Sequence, residues 1–308
     1  MRRIIPLVIA GAGMMVACST GQKGNGRTVD FPALEDSITA LIPEGKGEVG
    51  VAIISSDGDT LLINNEVKYP LMSVFKLHEA IAVARSLDNR GQDFDTVIHV
   101  TRQELNPDTW SPMLKDYTEG DIDITVSDLM AYTLRVSDNN TSNILYDHII
   151  SVPATDSVCR ELGIIGSFGI SHTEHEMQQN HALSYENWSS PLACAELIDR
   201  VYTDSVTSAD KQSAMRGWLG ECTSATDRLA APLADYPGVD LGHRTGSGYV
   251  NERGEIVAVN DVGYFTLPDG TSYSIAVLIK DYPGPQDEAS AIIGCISRTV
   301  LEAFSKKK

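Results

Sequence analysis

The way the hydrophobic period changes along this chain constrains its fold more than any other feature. Gly50 to Ser55 and Thr60 to Asn64 are β-rich runs that flank Ser56-Asp57-Gly58-Asp59, a hairpin signal. Near the other end, Val239 to Thr245, Glu255 to Thr266 and Ser272 to Asp281 read as strands, the last two joined by Pro268-Asp269-Gly270. Between these groups, from Leu71 to about Met215, the period is helical, as in FKLHEAIAVARSL, VSDLMAYTL and LACAELIDRVY. Phe31 to Ile42 reads as a helix ended by Pro43 and Gly45. Ala289 to Phe304 reads as another, followed by Lys306 to Lys308, cations that suit the negative end of a helix dipole. The expected fold class is therefore α+β: an antiparallel, about five-stranded sheet built from both termini with flanking helices, plus an inserted all-helical subdomain. Residues 30–70 and 216–308 would supply the sheet part and residues 71–215 the insert, with a cleft at their boundary. The sequence has no internal repeat and no nucleotide-type glycine loop.

Three short motifs carry chemistry. Ser73-Val74-Phe75-Lys76 opens the first helix of the insert, and a spacing of three puts the hydroxyl and the amine on one helix face. A serine is inert until its proton is removed, and a lysine whose pKa is lowered by burial can remove it. Alone the pattern is unspecific, since Ser208 with Lys211 and Ser305 with Lys308 repeat it as surface-helix and tail residues. Ser137-Asp138-Asn139 follows a helical segment: a second hydroxyl there can shuttle a proton, and the Asn139 amide can donate to a substrate carbonyl. These residue types also favour caps and turns. Arg244-Thr245-Gly246-Ser247-Gly248 ends a strand. It offers a cation and hydroxyls for a carboxylate, a glycine for close approach, and a Ser247 N–H that could complete an oxyanion hole with that of Ser73.

In this order, separated by 64 and then 107 residues, the motifs resemble the SxxK, SDN and KTG of the penicilloyl serine transferases, and most of all a class A serine β-lactamase. The resemblance covers the chain from about Asp30 to Phe304. SVFKLHEAI, TWSPMLKDY and RTGSGYVNE are most similar to the branch containing extended-spectrum cephalosporinases. It implies a serine β-lactamase/transpeptidase-like fold with an Ω-type loop around residues 165–185. It implies Ser73 as nucleophile, either Lys76 or Glu174 through water as the base that takes its proton, Ser137 as the proton shuttle to the lactam nitrogen, and Glu174 as the base that activates water for deacylation. Glu176 is the competing carboxylate, and Gln178 stands where the family's water-sharing amide is usually Asn. Asn139, Arg244, Thr245, Gly246 and Ser247 would bind substrate, and Trp110 would line the cleft mouth. Arg244 replaces the usual Lys, which fits an electrostatic role better than proton transfer. The disulfide common in the family would join positions that here hold Ala80 and Met130, so it is absent. His172, His175 and His181 are zinc-type donors, but zinc chemistry would leave Ser73, Ser137 and Thr245 unexplained. No metal and no cofactor is expected.

Charge bounds the partners. Lys and Arg total 24 against 42 Asp and Glu in 308 residues, a net of −18, which leaves no footprint for nucleic acid or a polybasic membrane patch. Arg2-Arg3, the apolar run from Ile4 to Met15 and Val16-Ala17-Cys18 read as an export signal over residues 1–17 of lipoprotein type. Cys18 would be the possible lipid anchor, residues 18–29 a tether, the location periplasmic and the state monomeric. Cleavage would take away two cations and leave 22 − 42 = −20. Cys159, Cys194, Cys222 and Cys295 permit two disulfides, yet Cys159, Cys194 and Cys295 lie in apolar helical patterns typical of buried free thiols.

The expected function is hydrolysis of β-lactams, cephalosporins and penicillins, through a serine acyl-enzyme. The alternatives are a penicillin-binding transpeptidase or carboxypeptidase, with the same motifs and slow deacylation, and a non-catalytic cell-wall-binding lipoprotein.

Overall fold

The computed structural model describes residues 29–118 and 120–306. The export signal, Cys18, nearly all of the tether, Lys307 and Lys308 lie outside the described residues. In chain order, α1 (Phe31–Thr39) leads to β1 (Glu48–Ser55), β2 (Thr60–Ile63) and β3 (Tyr69–Pro70). A turn of 3-10 helix, Met72–Phe75, runs into α2 (Lys76–Arg90). Then come β4 (Val97–Val100), β5 (Ile122–Thr125), α3 (Val126–Arg135), α4 (Asn139–His148), α5 (Val152–Glu161) and β6 (Phe168–Gly169). The chain continues through α6 (Glu174–Gln179), β7 (Trp188–Ser189), α7 (Pro191–Thr203) and α8 (Ala209–Gly220). It closes with β8 (Asp240–Ser247), β9 (Ile256–Thr266), β10 (Ser272–Tyr282) and α9 (Gln286–Ser305).

The main sheet has five strands in the order β2-β1-β10-β9-β8, all antiparallel. The two ends of the chain meet at β1 and β10, where Val51 sits opposite Val277. Strand alternation divides the core. Val49, Val51, Ile53, Ile275, Val277 and Ile279 face α1 and α9, while Ala52, Ala276 and Leu278 face the helical part. Each aliphatic side chain removed from water contributes about 1.5–3 kcal/mol, so the two apolar layers hold the sheet from both sides.

The insert departs from the all-helical expectation. Val97–Val100 pairs with Ile122–Thr125, and Trp188–Ser189 is bridged by Tyr69–Pro70 and Phe168–Gly169. The two-residue strands are too short to leave a period-2 signal, and the four-residue pair is barely longer. Cys159, Cys194 and Cys222 are buried free thiols, but Cys295 is exposed, because Ile293, Ile296 and Val300 set the buried face of α9 and turn residue 295 outward. Lys211 is not a surface residue either: it is buried, with Nζ 2.6 Å from Asp93 and 3.0 Å from Asp88. Ala80 and Met130 are fully buried in the helical core.

Candidate active site

The SxxK serine sits on the 3-10 turn ahead of α2 rather than within a regular helix, and Met72 before it has φ +45°. A non-glycine residue rarely adopts this left-handed conformation, which is held here by the packing around it. Part of that packing is Gly246 on β8: a Cβ there would lie 2.4 Å from the Leu71 carbonyl oxygen. Only a glycine lets β8 press against the turn that carries Ser73.

Ser73 Oγ donates to Glu174 Oε1 at 3.0 Å, and Lys76 Nζ lies 3.4 Å from the same hydroxyl. Lys76 is fully buried. It donates to Asn139 Oδ1 at 2.6 Å and the Ser137 carbonyl at 3.0 Å, and stands 3.0 Å from Glu174 Oε1. Burial lowers its pKa, the Glu174 charge pulls it back up, and Arg244 lowers it further.

Asp138 explains why the SDN segment holds its shape. Its buried carboxylate caps α4 by accepting from Thr141 N at 3.0 Å, and it also accepts from Met113 N at 2.8 Å and Ser111 Oγ at 2.9 Å. Ser137, just before the cap, has φ +62°, which turns its carbonyl to Lys76 and its hydroxyl to Arg244 Nη2 at 2.6 Å. Asn139 Nδ2 donates to Thr109 Oγ1 at 2.9 Å, leaving its second N–H.

Glu174 opens α6, nine-tenths buried. Glu176 serves the backbone instead, closing a capping box by accepting from Thr173 N at 2.8 Å. Gln178 does not join the catalytic groups. Its Nε2 donates to Asp108 O and its Oε1 accepts from Asn106 Nδ2, both at 2.9 Å, so it fastens the Ω-type segment to the loop before Trp110. The histidines are dispersed in the same way. His172 pairs with Glu186 at 2.8 Å, His175 with Gln179 at 2.9 Å, and His181 stacks on Tyr249 at 4.0 Å.

These elements frame a cleft of about 880 Å³ lined by Ser73, Trp110, Ser137, Asn139, Glu174, Thr245 and Ser247. Trp110 is 63% exposed at its mouth, its Nε1 donating to Val136 O. Lys76 and Arg244 lie beneath the lining, fully buried. Thr223, Ser224 and Ala225, which also line the cleft, had no signal in the sequence. Nor did Arg228. It is fully buried and donates to Gly246 O and Asn260 O at 2.8 Å and to Ser247 Oγ at 2.6 Å, a second cation behind the RTGSG strand. A lone arginine in a loop carries no motif, and its role is visible only once three elements converge.

Across residues 33–304 the chain matches the family described as the β-lactamase enzyme family. It is 45% identical over 267 residues to a β-lactamase of Phocaeicola vulgatus, covering 87% of this chain and 83% of that protein. The extended-spectrum β-lactamase PER-1 of Pseudomonas aeruginosa is 28% identical over 302 residues, 98% of this chain and 96% of that protein. A solved class A β-lactamase from Bacteroides cellulosilyticus aligns with a TM-score of 0.84 at 29% identity, over 90% of this chain and 99% of that one.

Proposed function

The chain belongs to the β-lactamase enzyme family, as a class A serine β-lactamase that hydrolyses β-lactams, and from that premise we propose how its residues divide the work. The observation that carries the reading is the Ser73 hydroxyl, placed between Glu174 at 3.0 Å and Lys76 at 3.4 Å.

Ser73 attacks the lactam carbonyl with Glu174 and Lys76 both in reach of its proton, so Lys76 can take that proton when Glu174 is removed. The N–H groups of Ser73 and Ser247 receive the developing oxyanion. Ser137 accepts from Arg244, so its own O–H remains as donor to the departing lactam nitrogen. Asn139, fixed by Lys76 and Thr109, orients the substrate's side-chain amide through its second N–H. Thr245 and Ser247, backed by Arg244 and Arg228, hold the substrate carboxylate, and Gly246 keeps that strand close to the nucleophile. Glu174 then activates water against the ester. No metal or cofactor takes part.

The substrates are cephalosporins and penicillins, a reading supported by the resemblance to extended-spectrum enzymes. A chromogenic cephalosporin tests it: the wild type turns over continuously, and Ser73→Ala gives neither turnover nor a covalent mass. A single stoichiometric burst would instead indicate a transpeptidase or carboxypeptidase, and no reaction a binding module.

Export to the periplasm, a lipid on Cys18 and a monomeric state belong to the same proposal and rest on the sequence. Fatty-acid labelling that persists in Cys18→Ser would refute the anchor.

A further inference from the structure

Three side-chain amides form a continuous hydrogen-bonded bridge beside the site, from α4 to α6. The first is Asn140, buried in the first turn of α4. Its Oδ1 accepts from Asn106 N and its Nδ2 donates to Asn106 O, both at 2.9 Å, so the backbone of Asn106 is clasped to α4. Four residues on, the same loop is tied to α4 again, where Asn139 N donates to Trp110 O at 3.0 Å. The second amide is that of Asn106, whose Nδ2 donates to Gln178 Oε1 and whose Oδ1 accepts from Asp108 N, both at 2.9 Å. The third is Gln178, whose Nε2 donates to Asp108 O at 2.9 Å. Both polar ends of Gln178 are engaged by this loop, and Gln178 does not line the cleft.

The bridge ends beside the two groups that meet at Ser73. Asn139, next to Asn140, accepts from Lys76 at 2.6 Å. Glu174 lies one helical turn before Gln178, on the same face of α6. A helix of six residues has no stability of its own and is held by what it touches. Its first turn is tied to α4 by His175 N, which donates to Asn143 Oδ1 at 3.1 Å, and Met177 is buried beneath it. The amide bridge fastens its last turn.

We propose that Asn106 and Gln178 are positioning residues for deacylation: the bridge fixes α6 against α4 and so holds the Glu174 carboxylate where it can activate water against the ester. Gln178 acts through the helix and not on the water. The inference rests on Glu174 as the deacylation base. In that step Glu174 takes a proton from water, the water oxygen bonds to the ester carbonyl, the bond to Ser73 Oγ breaks and the proton passes to Ser73. Acylation has Lys76 and Ser137, both outside α6, whereas deacylation draws its base from α6 alone. Loosening α6 therefore slows the second step and spares the first.

The test uses the full chain and a cephalosporin whose ester is detectable on the wild type, reading steady-state kinetics and the ester fraction by intact mass after acid quenching. Asn106→Ala keeps the backbone bonds to Asn140, loses the donor to Gln178, and should slow deacylation about tenfold. Then kcat and KM fall together, kcat/KM stays within about twofold of wild type, and ester accumulates. A protein that is only destabilised loses kcat without a fall in KM and holds no extra ester. Gln178→Ala should match Asn106→Ala, and the double variant should be no slower than either. Gln178→Asn, one methylene shorter, should be as slow as Gln178→Ala, and wild-type deacylation in it overturns the bridge. Wild-type kinetics and ester level in Asn106→Ala overturn it as well. Glu174→Ala keeps the two ideas apart. If it accumulates ester while Asn106→Ala does not, the bridge fails and the base stands; if it turns over freely, the reading of Glu174 itself fails.

Discussion

Glu79 lies one helical turn beyond Lys76, fully buried, with Ser142 Oγ donating to Oε2 at 2.7 Å and no partner for Oε1 among the described residues. Burial raises its pKa from 4.5 to about 8, against the opposing effects of Ser142 and Lys76. The folded state therefore holds a proton that the unfolded state releases between about 4.5 and about 8, so this residue's contribution to stability falls as pH rises through that window. Glu79→Gln, neutral throughout, should remove that slope. The Tm difference between wild type and variant should shift in the variant's favour from pH 5 to pH 8, at about 1.4 kcal/mol per pKa unit. Parallel Tm curves would refute the buried acid. At this scale the sequence was legible where spacing determines contact, in Ser73 and Lys76, while Glu174, which reaches the same hydroxyl, was legible only through the family resemblance. It was silent where contact depends on chain sections far apart. Arg228 reaches Ser247, and His243 meets Asp261 from a different strand.

The strands and long helices were legible because each carries its own period, and their observed ends differ from the expected ones by a few residues. The elements that shape the cleft were not, because they are short and strained. Met72, Ser137 and Ala225 all line it with positive φ, and none is a glycine that would mark the turn. The motif glycine that is marked, Gly246, makes a prediction at this scale. Gly246→Ala places a methyl 2.4 Å from Leu71 O, and backbone cannot yield as a flexible side chain does. Relief by moving β8 away from Met72–Phe75 should lower stability by about 1–3 kcal/mol. The same displacement should lower kcat/KM about 100-fold through misplacement of Ser73. Wild-type kinetics in a folded Gly246→Ala protein would show that the close approach does not position the nucleophile.

Across the whole molecule, an acidic protein with a net charge of −18 turns over an anionic substrate. The summed field repels the substrate while Lys76, Arg228 and Arg244, all fully buried, form a local positive focus. Salt screens the distant surface charges more than the buried ones. Raising ionic strength from 0.01 to 0.15 M should therefore raise kcat/KM about twofold for an anionic cephalosporin and leave a zwitterionic one nearly unchanged. A fall for the anion would mean that the local cations dominate at long range. The central claim is that one carboxylate, Glu174, separates a hydrolase from an enzyme trapped as its ester, and intact-mass spectrometry of Glu174→Ala mixed with a cephalosporin tests it most directly. The account predicts a stoichiometric covalent adduct on Ser73 that persists for many wild-type turnover times, with deacylation slowed roughly 10²–10⁴-fold. Free, unmodified Glu174→Ala protein with wild-type turnover would contradict it.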